Sequence, residues 1–195
     1  MSVSTSDYNL DGWPDIFVTV DHDEEEMVFK NNGDGTFKYD TKHALKQNSN
    51  SSMGVDAGDI NNDKYPDFVV VEMLPKDYYR EKVSMSMQSV QRFTFLTDTA
   101  DYNYFQMRNF LHLNNGNGTF SDIGQLAGIH KSDWSWSCLL MDGDNDGNQD
   151  LFVANGYWRN LYNKDNKKKL DEGMLALNGD FAKMNKLASE YSKTC

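Results

Sequence analysis

Apolar residues in this chain come in short runs, and the runs fall at regular distances. Ile16-Phe17-Val18, Phe68-Val69-Val70-Val71 and Leu151-Phe152-Val153-Ala154 are each three or four residues long. Runs of that length, rich in β-branched and aromatic residues, predict strands, and the near-continuous ones predict strands buried on both faces. Two further runs, Met27-Val28-Phe29 and Leu111-His112-Leu113, lead into Asn31-Asn32-Gly33-Asp34-Gly35-Thr36-Phe37 and Asn114-Asn115-Gly116-Asn117-Gly118-Thr119-Phe120. Asn-Gly and Asp-Gly steps between strand-like runs predict hairpin turns. Ser52–Ala57 and Ser135–Met141 read as the strands that precede the second and third apolar runs.

The spacing makes these pieces a repeat. Asn31 lies 28 residues before Asp59, and Asn114 lies 28 before Asp142. Asp7 lies 24 before Asn31, whereas Asp59 lies 55 before Asn114. The basic unit is thus about 52 residues, with 31 more inserted in the second copy. Each unit reads as strand, acidic loop, strand, linker, strand, Asn-Gly turn, strand, which describes a β-propeller blade. The expected fold is mainly β, a partial β-propeller of about 2.5–3 four-stranded antiparallel blades with helical insertions and a helical C-terminal tail. It occupies residues 1–162, with the insertion at about 74–104 and the tail over 163–195.

Within the insertion, Pro75 opens a segment in which Tyr79, Val83, Met87, Val90 and Phe93 recur at three- and four-residue steps. That periodicity predicts one amphipathic helix from about Lys76 to Arg92. The aromatics Phe93, Phe95, Tyr102, Tyr104 and Phe105 follow, either packing on the blades or forming a recognition surface. In the tail, Leu170, Met174 and Leu177 predict a helix, Asn178-Gly179 breaks it, and Asp180 caps a second. The tail stands where the second unit has its insertion, so it reads as the start of a third-blade insert. Three loops with two complete outer hairpins make part of a ring.

The chemistry lies in what precedes each apolar run. Asp142-Gly143-Asp144-Asn145-Asp146-Gly147-Asn148-Gln149-Asp150 places acids at positions 1, 3, 5 and 9 and glycine at 6. Asp7, Asn9, Asp11, Trp13 and Asp15 hold the odd positions of a first copy, and Asp59, Asn61, Asp63, Tyr65 and Asp67 those of another. Ca²⁺ takes six to eight oxygen ligands, which such a turn can supply from alternate side chains and, at position 7, from a backbone carbonyl. Without a cation, the carboxylates of one turn repel one another. The reading is up to three Ca²⁺ sites. The middle one is expected to be weakest, because Lys64 stands where a left-handed glycine belongs. An EF-hand is excluded, since position 12 is Val18, Val70 or Val153 in place of a bidentate Glu.

Composition changes the picture modestly. Nineteen Lys and Arg against thirty Asp and Glu give a formal charge of −11, and ten of those acids sit in the three loops. The balance argues against nucleic acid as a partner, and no basic patch carries interleaved aromatics. Lys167-Lys168-Lys169 reads as a solvated helix end. No window is apolar enough to span a membrane, and a leader is expected outside this chain. Cys138 is expected as a small buried hydrophobe. The expected location is extracellular, cell-surface or periplasmic, because weak calcium loops fill where Ca²⁺ is millimolar.

The loops, hairpins and spacing from Asp7 to Tyr162 resemble the FG-GAP/VCBS repeat family, whose members include integrin-α-like propellers. Glu72-Met73-Leu74-Pro75, Asp133-Trp134-Ser135-Trp136-Ser137 and Val153–Asn160 look like Bacteroidetes-type VCBS surface proteins, whose ASPIC/UnbV domain is absent here. Met53-Gly54 and Ala57-Gly58 stand where integrins carry Phe-Gly and Gly-Ala-Pro. The resemblance implies calcium-stabilised scaffolding and binding.

Other constellations are weaker. His22, His43, His112 and His130 lack ligand spacing, and Asp21–Glu26 reads as a solvated loop. Trp134, Trp136, Tyr157 and Trp158 are candidates for stacking on sugar rings, with core packing as the alternative. No nucleophile–base pair or phosphate loop is present, so no enzymatic activity is expected of this chain. The leading expectation is a non-catalytic extracellular module that presents a surface to a glycan or a protein. The alternative is the propeller portion of a secreted polysaccharide-degrading enzyme, a lyase or hydrolase. Open blade edges invite self-association.

Overall fold

The three apolar runs all form strands, each entered from an acidic turn. The computed structural model describes residues 2–22, 24–83, 89–156, 164–177 and 180–191. The first blade is an antiparallel sheet of β1 (Val3–Ser6), β2 (Asp15–Val18), β3 (Met27–Asn31) and β4 (Phe37–Tyr39), in that order. A short helix, α1 (Thr41–Ala44), and β5 (Gln47–Ser49) follow it. The second blade is built from β6 (Gly54–Gly58), β7 (Asp67–Val71), β9 (Phe110–Asn114) and β10 (Phe120–Asp122), again antiparallel throughout. β11 (Ser135–Met141) and β12 (Asp150–Asn155) form the third sheet as a two-stranded pair. The fold is therefore mainly β, propeller-like and open.

β7 shows how the blades stack. Successive side chains of a strand point to opposite faces. Phe68 and Val70 enter a core with Tyr8, Phe17, Val28, Leu45, Phe110 and Phe120, where the Phe17 and Phe68 rings lie 4.7 Å apart. Val69 and Val71 enter a second core with Leu111 and Cys138, flanked by Ile60, Leu140, Leu151 and Val153. One strand thus serves two inter-blade layers. Gly54 marks a close approach of two blades, since a methyl group there would lie 2.9 Å from Ser137 Cα. Cys138 is free and buried, and burial and the Asp56 charge push its thiol up to about 12.

The insertion departs from the single helix expected over Lys76–Arg92. It contains α2 (Tyr78–Val83) and α3 (Val90–Thr94), the latter continuing into a π-turn over Phe95–Thr99. Ser89 explains the interruption: its backbone is extended, and its side chain accepts the Arg92 N–H at 3.1 Å as an N-cap. The chain then returns as β8 (Tyr104–Gln106), which pairs parallel with β5. No local pattern foretells that pairing.

Contacts group Met1–Leu74 and Gln88–Gly156 into one compact unit, which holds every strand among the described residues, and Pro75–Met87 with Tyr157–Cys195 into another. The first part of the insertion therefore groups with the tail. Here α4 (Lys164–Ala176) starts a turn and a half before the expected apolar stripe and takes in Lys167–Lys169. α5 (Phe181–Tyr191) begins after Asp180, whose carboxylate accepts the Lys183 N–H at 3.2 Å. Gly173 of α4 faces Leu187 of α5. No helix among the described residues is long and apolar enough to cross a membrane.

Candidate metal-binding loops

Each acidic turn is wired by the same five hydrogen bonds. The position-5 N–H donates to the position-1 carboxylate at 3.0, 3.1 and 3.0 Å for Asp11, Asp63 and Asp146. It also reaches the position-3 oxygen of Asn9, Asn61 or Asp144. The position-6 N–H donates to the other position-1 oxygen, and the position-7 N–H of Trp13, Tyr65 or Asn148 donates to position 5. Finally, the position-2 N–H of Tyr8, Ile60 or Gly143 donates to the position-9 carboxylate of Asp15, Asp67 or Asp150. The wrap is the same whether position 3 is Asp or Asn.

Positions 4 and 6 take left-handed backbone in all three loops. Position 6 has φ of 91° at Gly12, 77° at Lys64 and 87° at Gly147, so the lysine adopts the strained conformation the turn demands. Position 4, occupied by Leu10, Asn62 and Asn145, has φ of 56–60°. Leu10 was not foreseen in this role, because leucine carries no turn signal.

The position-9 aspartates have a second task. Asp15 Oδ1 accepts the Asn31 N–H, and Asp67 Oδ1 accepts the Asn114 N–H, both at 2.8 Å. Asn31 and Asn114 open the two outer hairpins, and their Nδ2 groups donate to the carbonyls of Pro14 and Pro66 at 3.0 Å. Asn114 Nδ2 also reaches the Tyr8 carbonyl of the first blade at 2.7 Å. Trp13 lies against Gly33, and Tyr65 against Gly116. The recurrence of loop and hairpin at fixed distance thus has a physical cause: one carboxylate ties them together. Asp15 and Asp67 are buried, and burial, reinforced by the charges at positions 5 and 1, raises their pKa despite the two N–H donors on each.

The third loop is the one with carboxylates at positions 1, 3 and 5, those of Asp142, Asp144 and Asp146. One oxygen from each lies within 4.8 Å of the others, and all three residues are exposed. Three hard oxygen donors around one point suit a hard divalent cation such as Ca²⁺. In the middle loop Asn61 Nδ2 instead donates to Asp63 Oδ2 at 2.9 Å.

The aromatic candidates are only partly brought together. Trp134 and Trp136 lie 6.4 Å apart between ring centroids, and a bulge in β11 at Trp136 leaves that indole 49% exposed. Its Nε1 donates to the Gly156 carbonyl at 2.6 Å. Tyr157 and Trp158 lie outside the described residues.

The segment expected as a solvated acidic loop is exposed at His22 and Glu24 and is corrected by the structure at its last two residues. Glu25 and Glu26 are buried, with Ser49, Asn50, Ser51, Tyr102, Asn103 and Phe105 against the segment. Glu25 accepts the Tyr39 hydroxyl at 2.5 Å and the Asn103 N–H at 3.1 Å, while burial and the Glu25 hydrogen bond push the Tyr39 phenol up to about 12. Glu26 sits 3.8 Å from His112 Nε2. Glu72 is also fully buried, and burial together with the Glu26 charge raises its pKa well above the usual range, against the opposing pull of the Ser51 backbone N–H.

Blades of four antiparallel strands, stacked through shared cores and entered from Asp-rich turns, define a β-propeller-like repeat module. Residues 7–70 and 95–153 match the FG-GAP-like repeat, and the chain belongs to that family. No curated protein matches the chain.

Proposed function

We propose that the chain is a non-catalytic, extracellular, calcium-supported module whose blades present a binding surface to a glycan or a protein. The observation that carries this reading is the convergence of Asp142, Asp144 and Asp146 on one point at the loop surface. The homologous turns at Asp7–Asp15 and Asp59–Asp67 have the same wiring and would hold ions through positions 1, 3 and 5, with the position-7 carbonyl and position-9 carboxylate as further donors. A bound ion would offset like-charge repulsion within each turn and stiffen the connection between the paired strands. It does no chemistry on a substrate in this reading. Millimolar Ca²⁺ outside the cell fills weak loops of this type, which supports the extracellular assignment.

Thermal unfolding with and without chelator tests the proposal. At Ca²⁺ about tenfold above the dissociation constant, each filled site adds about 1.4 kcal/mol. For a chain of this size that is a shift of roughly 3–5 °C per site. EDTA should lower the melting temperature and excess Ca²⁺ restore it. The D142N/D144N/D146N variant should lose the largest share of the shift. An identical melt in Ca²⁺ and in EDTA contradicts the proposal.

A further inference from the structure

A cleft of the strand-bearing unit is lined by residues outside the three acidic loops. It encloses about 440 Å³ beside the parallel β5–β8 pair and the outer strands of the second blade, within the range of small-ligand sites. Its organising residue is Arg108, which is buried over the Phe110 ring at 4.1 Å. The guanidinium donates from Nε to Gln106 Oε1 at 2.8 Å and from one terminal nitrogen to Gln47 Oε1 at 3.1 Å. The same nitrogen pairs with Asp122 Oδ2 at 2.7 Å, and the other terminal nitrogen donates to the Asn109 carbonyl at 3.4 Å.

These bonds decide what the cleft offers. An arginine can only donate. It therefore takes the carbonyl oxygens of both glutamines and leaves their amide NH₂ groups to serve as donors to whatever enters. Asp122 is largely engaged: its Oδ2 faces Arg108, and its Oδ1 accepts the Gly124 N–H at 2.9 Å and the Leu111 N–H at 3.4 Å. Although burial opposes its ionisation, the Arg108 hydrogen bond holds its carboxyl below the usual range. With Arg108 balanced by Asp122, the unneutralised charge on the lining is Lys46, which is exposed and pairs with no acid among the described residues. The hydroxyl hydrogen of Ser121 goes to Asn115 Oδ1, so its oxygen lone pairs remain as acceptors. Besides the exposed amide of Gln125, the set is two amide donors oriented by Arg108, one ammonium and one hydroxyl acceptor, on a chain whose formal charge is −11.

We infer that this cleft binds a carboxylated sugar, the hexuronate unit of an acidic glycan. The single unpaired ammonium matches one carboxylate. The two glutamine amides suit ring and hydroxyl oxygens, and Ser121 accepts from a sugar hydroxyl. A dianionic phosphate would call for more cationic donors than this lining supplies. This inference rests on the glycan-binding form of the reading above and names its ligand class.

The test is titration of the full chain with D-glucuronate, D-glucose, acetate and inorganic phosphate in parallel, in Ca²⁺-containing buffer. Side-chain amide NMR signals report the contact. Glucuronate should bind and shift the Nε2 resonances of Gln47 and Gln106, with glucose and acetate each about tenfold weaker or worse. Lys46→Glu changes an exposed residue and should weaken glucuronate at least about tenfold while leaving the melting temperature unchanged. Acetate or phosphate binding as tightly as glucuronate would overturn the saccharide assignment. So would equal binding of glucose, no binding of glucuronate, or full affinity in Lys46→Glu. The two proposals fail separately. A protein that melts lower in EDTA yet ignores glucuronate loses only the cleft, and one that takes glucuronate but is indifferent to EDTA loses only the calcium support.

Discussion

β7 and β12 follow the same kind of acidic turn and are written in similar letters, yet they live in different surroundings. In β7, all five residues from Asp67 to Val71 are buried. In β12 none is, and Phe152, which occupies the register position of Val69, is 55% exposed against 1% for Val69. The difference lies in the neighbours. β7 sits between β6 and β9 and has a blade on either face, whereas β12 has β11 as its one partner strand among the described residues. Leu139, Met141 and Phe152 accordingly stand exposed on the third sheet. An apolar run specifies that a strand forms, and the burial of that strand belongs to the stack around it.

The sharpest way to break this comparison is to cut the same ring from each strand. Phe68→Ala should cost about 3–5 kcal/mol, because it opens a cavity in the core between the first two blades. Phe152→Ala should stay within about 0.5 kcal/mol of the parent, as an exposed position does. Urea unfolding measures both, and equal losses would show that β12 is buried in solution.

The position-9 aspartates separate the two blades next. Asp67→Ala strips acceptors from the Ile60 and Asn114 amides and should cost roughly 2–4 kcal/mol. It should also speed hydrogen exchange at Asn114. Asp150 holds one amide in the described structure, that of Gly143 at 3.0 Å, and its replacement should cost about 1 kcal/mol.

Glu72 follows β7 where Asn155 ends β12, and this pair gives a pH signature. Asn155 Oδ1 accepts the Ser135 hydroxyl at 2.8 Å, while Glu72 is a buried carboxyl with a raised pKa. Below the ordinary carboxylate range, Glu72 is protonated in both folded and unfolded chains and its contribution is fully present. As pH climbs towards the raised native value, the unfolded chain ionises first and the native state loses that stability. Glu72→Gln should therefore be more stable than the parent at neutral pH by about 1–2 kcal/mol, with the gap closing below about pH 4. A gap that widens on acidification would contradict the assignment.

The smallest expected effect is Lys64→Gly. Relief of the left-handed backbone strain, less the greater freedom of glycine in the unfolded chain, should leave a gain of about 1 kcal/mol or less. It should also tighten Ca²⁺ at the middle loop.

What was legible in the sequence is what local chemistry decides. The three turns, the two Asn-Gly hairpins and the strands beside them follow from residues a few positions apart. Even the fixed loop-to-hairpin distance was visible, although its cause, the second hydrogen bond of Asp15 and Asp67, needed coordinates. The features that escaped are assembled at a distance. β5 meets β8 across more than fifty residues, and the Arg108 cleft draws together Gln47, Gln106 and Asp122 from three separate strands. Glu25 and Glu26 look like a solvated acidic run until the segments that cover them are known. The insertion misled because an apolar stripe at helical spacing continues across Ser89, while that serine's side chain starts a new helix.

The measurement that bears most directly on the calcium claim is diffraction from crystals of this chain grown in Ca²⁺, collected for calcium anomalous signal. The account predicts a peak among Asp142, Asp144 and Asp146 with oxygens at about 2.3–2.6 Å, and weaker peaks in the two earlier turns. Empty turns at saturating Ca²⁺, with the same five hydrogen bonds intact, would contradict it.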